Sequence, residues 1–244
     1  LPFRSHRFIE SLHAGVMIMH SILAHSAIIS PVLRILAAWM LVLSFALLAQ
    51  RRLLSLIRLL AWQGVTLAVG TALVAQLTGD PILWVSAVLT LSIKGILMPY
   101  VLHYLLRRLQ VRGDVEMTLN VPSTQLLGIL LVVFAFSIAA PLDGYLPAAT
   151  HGMLGIALAA FLLSFLMMIT RRKAISQIVG FLAMDNALFF AATSATLGMP
   201  LIVELGIALD TLIGLVVIGV FFFQIRDTFD SLDLHYLEHI REDK

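Results

Sequence analysis

The chain has 244 residues, of which 60% are hydrophobic and only 12% charged, with a net charge of +2. Soluble domains carry about twice that charge fraction, and the mean hydropathy here is +1.00, so the composition describes an all-α, polytopic membrane protein. The basic residues stand in short clusters between apolar runs, which gives the net charge no bearing on nucleic acid. The chain contains no cysteine, so it can supply no disulfide, no thiol chemistry and no thiolate for an iron–sulfur cluster.

Residues 1–31 read as an N-terminal extension, interfacial or processed. Arg4, Arg7, Glu10, His13, His20 and His25 interrupt any spanning run, and no apolar h-region leads to a cleavage motif. The sequence starts with Leu1 rather than Met, which leaves a processed or different start as an expectation. A seven-helix transmembrane domain is predicted over 32–225. Its spans lie near 32–49, 54–77, 81–106, 124–141, 147–170, 174–197 and 200–225, each close to the roughly 20 residues that a bilayer requires. QRRLLSLIR (50–58), RRLQVR (107–112), TRRK (170–173) and the segment after Gln224 hold most of the Arg and Lys. LTGDP (77–81), PLDGYLPAATH (141–151) and LGMP (197–200) hold none. The positive-inside rule then predicts an outer N-terminus and a cytoplasmic C-terminus, with Arg4, Arg7 and Arg34 as outer exceptions. Residues 226–244 carry Phe229, Leu232, Tyr236, Leu237 and Ile240 at helical spacing, an amphipathic cytoplasmic tail suited to docking.

An internal repeat is visible when IRLLAWQG (57–64) is set under VGFLAMDN (179–186). Leu60 meets Leu182, Ala61 meets Ala183 and Gln63 meets Asp185. Both segments follow an arginine pair and precede a Gly-x-Pro turn, Gly79–Pro81 or Gly198–Pro200. Two related helix hairpins are a common transporter device, here 32–106 as the first unit and 124–225 as the second part.

Charged groups within spans cost about 2.5–3.5 kcal/mol each on insertion scales, and this chain carries several. At 1.5 Å of rise per residue, Asp185 lies about 16 Å from the cytoplasmic end of its helix and Asp210 about 15 Å from the outer end of the next. Lys94 and Gln63 fall near the same level, whereas Glu204 is only about 6 Å inside the outer boundary. Burial disfavours charge on such groups, which lets acids and a lysine exchange protons near neutral pH. The set Gln63, Lys94, Asp185 and Asp210 therefore reads as a proton path with Glu204 near its outer end, and His103 and His151 as possible extensions. Pro99 crowds the Gly95 carbonyl beside Lys94 and would loosen that helix. Structural alternatives stand beside each reading. Gln63 with Thr66 and Gly70 can be interhelical glue, Asp210 between Gly206 and Gly214 can be a static partner of Lys94, and Glu204 can cap its helix.

RRKAISQIVGFLAMDNALFF, LIVELGIALDTLIG and TFDSLDLHYL, with SIKGILMP in the first half, resemble component E of hydrogenase-4-type complexes, relatives of formate hydrogenlyase. The resemblance covers roughly 33–240. The last helices are also similar to the K subunit of respiratory complex I, and Asp185 and Asp210 would then occupy the positions of its two membrane carboxylates. Those are usually glutamates, so the shorter aspartates here depart from the pattern in reach. The resemblance implies a membrane-arm subunit of an energy-converting [NiFe] hydrogenase-type complex in a bacterial cytoplasmic (inner) membrane, part of a proton or sodium path coupled to redox chemistry elsewhere. It implies no cofactor bound by this chain, with the [NiFe] centre and iron–sulfur clusters in partner subunits. The partners would be antiporter-like and quinone-site-like membrane subunits and the hydrogenase peripheral arm. A subunit of a complex I-like or multi-subunit cation/proton antiporter complex, a freestanding antiporter, and a scaffold of such a membrane arm are the alternatives.

Overall fold

The computed structural model describes residues 29–108, 119–145 and 150–196, together with 206 and 209. Among them the chain is helical without a strand element. Six helices are long and apolar enough to cross a membrane. They are α1 (Ile29–Ala49), α2 (Leu53–Thr78), a third span running through α3 (Pro81–Thr90), a π-helical segment (Leu91–Leu97) and α4 (Met98–Arg108), then α5 (Val121–Ala139), α6 (Met153–Thr170) and α7 (Ala174–Thr196). These correspond to the first six predicted spans. The seventh apart from Gly206 and Leu209, the LGMP turn, the amphipathic tail and the N-terminal segment before Ile29 lie outside the described residues.

The boundaries follow local chemistry. α1 is already helical at Ile29, ahead of the predicted 32, and runs to Ala49. Between α2 and α3, Gly79 takes a left-handed φ of 68° and donates to the Ala75 carbonyl, a C-cap that a Cβ would strain. Asp80 then accepts from the Ile82 N–H at 2.9 Å as N-cap, with Pro81 at the first helical position. The LTGDP turn is thus specified residue by residue. α6 opens at Met153 rather than near 147. Gly152, at φ 80°, cannot continue a helix, and its N–H is held by both carboxylate oxygens of Asp143 at 3.0 Å.

The buried interior divides into two apolar clusters. One gathers Leu47, Leu60, Met98, Leu102, Leu163 and Leu182 with their neighbours. The other gathers Leu33, Leu67, Leu83, Ala157, Phe189 and Phe190. In α2 and α7 the changeover falls at polar side chains, Gln63 and the Asp185–Asn186 pair, while Ser44 and Lys94 lie on the first cluster's side of it in α1 and the third span. A polar layer crosses the middle of the bundle.

Candidate functional site

Lys94 sits near the midpoint of the third span and Asp185 near the midpoint of α7, far from either end for a snorkelling side chain. The Lys94 ammonium donates to Asp185 Oδ2 at 2.7 Å, with the two side chains 6% and 15% exposed. The Phe189 ring centre lies 4.8 Å from the same nitrogen. Phe189 is one turn beyond Asp185, so a single face of α7 offers the ammonium a carboxylate and a ring face. Beside the pair is a small pocket, at the lower limit of what a water needs, lined by Leu60, Ile93, Lys94, Met98, Leu182, Asp185 and Asn186.

The π-helical segment is what brings Lys94 there. Within it, Met98 donates five residues back to Ile93 rather than four back to Lys94, and Pro99 has no N–H to give. The Lys94 carbonyl thus loses its usual backbone donor, one residue earlier than the Gly95 carbonyl expected from α-helical spacing. It faces α2 instead, where a Cβ on Gly64 would lie 2.6 Å from the Lys94 carbonyl oxygen. Only glycine lets α2 approach that closely, and a Cα–H contact to the freed carbonyl is what the geometry permits. π segments inside helices occur frequently at functional sites.

Gln63 is fully buried in the same layer, yet it faces α1 rather than the ion pair. Its Nε2 donates to Ser44 Oγ at 3.1 Å, and Ser44 passes the bond on to the Met40 carbonyl at 3.0 Å. Its Oε1 meets no donor. His103 is partly buried on α4, about 13 Å along the axis from Lys94, and His151 is exposed ahead of α6. Neither lines the pocket. Asp210 and Glu204 lie outside the described residues. A static pair with Asp210 was one structural alternative for Lys94; among the described residues its partner is Asp185.

Three contributors escaped sequence reasoning. Phe189 and Asn186 gave no signal beyond their four- and one-residue spacing from Asp185. Arg171 was hidden in the TRRK cluster, counted there as a surface charge. It is 2% exposed, and its Nη2 donates to the carbonyls of Leu47, Leu48 and Gln50 at 3.2, 2.8 and 2.9 Å. A cation there satisfies the orphan carbonyls at the C-terminus of α1. Burial, and secondarily the nearby Arg51 charge, pull the Arg171 guanidinium down from its ordinary value to about 10, which still leaves it charged at neutral pH.

Spanning helices stacked around a buried ion pair define a multi-pass membrane protein. No family model matches the chain, and no solved structure matches it. The chain is 34% identical over 208 residues to the uncharacterized protein Rv0085 of Mycobacterium tuberculosis (strain ATCC 25618 / H37Rv), covering 84% of this chain and 94% of that one. It belongs to the family of that protein. A more distant similarity, 27% over 150 residues, relates it to hydrogenase-4 component E of Escherichia coli (strain K12) and of Shigella flexneri, over 61% of this chain and 68% of each of theirs. The expected resemblance to that membrane-subunit family is therefore supported at a distance.

Proposed function

We propose that this chain is an integral subunit of a hydrogenase-type, energy-converting membrane complex, and that Lys94 and Asp185 form a station on its ion path. The kinship with hydrogenase-4 component E supports membership in such a complex. The observation that carries the ion-path reading is the Lys94–Asp185 contact of 2.7 Å, at the midpoints of two spans and beside a pocket of water size. A buried pair by itself adds little stability over well-packed apolar residues, and intramembrane ionisable residues mark ion and proton pathways. A carboxylate that can take up and return a proton, next to an ammonium that can release and recapture it, is the minimal relay. Asp210 would continue the path and Glu204 would open it towards the outer side. Gln63 would serve as a neutral hydrogen-bonding member of the polar layer, with His103 and His151 as extensions. In this reading the redox chemistry lies in partner subunits that hold the [NiFe] centre and iron–sulfur clusters. The donor set agrees: the chain has no thiolate to offer.

The test is Asp185→Asn in the assembled complex, with redox turnover and coupled ion movement measured together. Ion movement per turnover should fall at least about tenfold while the complex still assembles. Unchanged coupling would contradict the relay.

A further inference from the structure

Two turns at one end of the bundle are fastened to each other. Arg171, between α6 and α7, reaches across to the turn between α1 and α2 and holds the carbonyls of Leu47, Leu48 and Gln50. The Gln50 side chain closes its own turn by accepting from the Arg51 N–H at 3.0 Å. Gln177, near the start of α7, donates to the Arg171 carbonyl at 2.8 Å. These bonds fix where the neighbouring charges stand. Arg51, Arg52 and Arg58 on one side and Arg172 on the other are all exposed, and Arg51 is near enough to Arg171 for the two charges to act on each other. Like charges gathered in this way repel one another, and neither 50–58 nor 170–173 contains an acid to balance them. Leu54, 50% exposed, lies one turn before Arg58 on the same face of α2. The result is a fixed basic surface with an apolar side chain in it.

The complement to that surface is carried by the same chain. Residues 226–244 hold six acids against three Arg and Lys, and Asp227, Asp230 and Asp233 fall in the first eight of them, interleaved with Phe229 and Leu232. α7 begins at the fastened turns and ends at the opposite end of the bundle. A seventh span over 200–225, as the sequence predicts, would return the chain to the turns. The acids Asp114 and Glu116 are outnumbered in their own segment by Arg107, Arg108 and Arg112, which leaves 226–244 as the stretch with negative charge to spare.

We infer that the acidic segment 226–244 docks on the basic surface formed by the α1–α2 and α6–α7 turns of its own chain, with Asp227, Asp230 and Asp233 meeting Arg51, Arg52 and Arg172. Each exposed ion pair is weak alone. Several of them act together here because the surface is already fixed and the segment is tethered close to it, at high local concentration. Contacts of this kind weaken as salt rises.

The chain has no cysteine, so a cysteine pair can be placed in it without background from the chain itself. Leu54→Cys with Ser231→Cys keeps every charge. In membranes holding the intact complex, a short bismaleimide should join the two within one chain. The yield should fall at least about fivefold when Asp227, Asp230 and Asp233 are all replaced by Asn, and about as far in about 1 M NaCl, where charges are screened beyond about 3 Å. A yield that neither change lowers would overturn the inference, because charge would not be what seats the segment. So would a link from Ser231→Cys to another subunit instead, or a yield no greater than with Thr78→Cys at the far end of α2. Nanodiscs of phosphatidylcholine with and without phosphatidylglycerol test the remaining rival. Lipid headgroups seated on the arginines would abolish the link in the anionic bilayer, and that result would overturn the inference as well.

Discussion

Among the described residues two cations are buried, and they are held in opposite ways. Arg171 ends α6 and spends its Nη2 on three carbonyls at the C-terminus of α1. Its partners are dipoles that neither gain nor lose protons, and it remains protonated across the physiological range. Lys94 lies at the middle of its span and spends its ammonium on a carboxylate, with a pocket alongside. The first arrangement is a clamp between helix ends. The second is an ion pair between two spans, where an apolar pair would hold the helices as well. The contrast separates what buried charge does for the fold from what the proposed relay would ask of it.

Breaking one side of the Lys94–Asp185 pair should have the largest effect on stability. Lys94→Met or Asp185→Asn alone leaves an uncompensated buried partner, and the loss should be about 3–5 kcal/mol, read as a fall in unfolding midpoint in detergent or nanodiscs. Arg171→Met comes next. It strips several charge-assisted hydrogen bonds from the end of α1, for a loss of about 2–3 kcal/mol, but coupling per assembled complex should stay near wild type. A clamp that proved essential to coupling would erase the distinction drawn above. Gly64→Ala should cost about 1–3 kcal/mol, because the new methyl group meets Lys94 backbone atoms at 2.6 Å and neither helix can yield cheaply. If that variant is neutral, the close approach of α2 to the π segment is not what positions the lysine. Phe189→Leu keeps an apolar side chain and removes the ring face. It should lower stability by only about 0.5–2 kcal/mol, with Phe189→Tyr restoring most of it.

Much of the fold was legible in the sequence because each span is a long apolar run and each short turn carries its own capping residues, as Gly79, Asp80 and Pro81 do. The depth of Lys94 and Asp185 was legible for the same reason: rise per residue turns position into depth. Their pairing was not. Depth leaves Asp185 and Asp210 equivalent as partners for Lys94, and the choice depends on which helix α2 and the third span pack against. Nor could α-helical spacing reveal the change to an i+5 register, so the effect of Pro99 was assigned to the Gly95 carbonyl instead of that of Lys94. Arg171 was misjudged because hydropathy treats every arginine in a terminal cluster alike, and only the fold shows that one of them turns inward.

The most direct measurement is coupled ion movement by the complex carrying Lys94→Met and Asp185→Asn together. Removing both charges relieves the unpaired partner, so this double variant should be more stable than either single variant and should assemble normally. The account predicts that it nevertheless loses coupled ion movement by about tenfold or more. A double variant that assembles, turns over and still moves ions at the wild-type rate would mean that the pair at the centre of the membrane is only a strut.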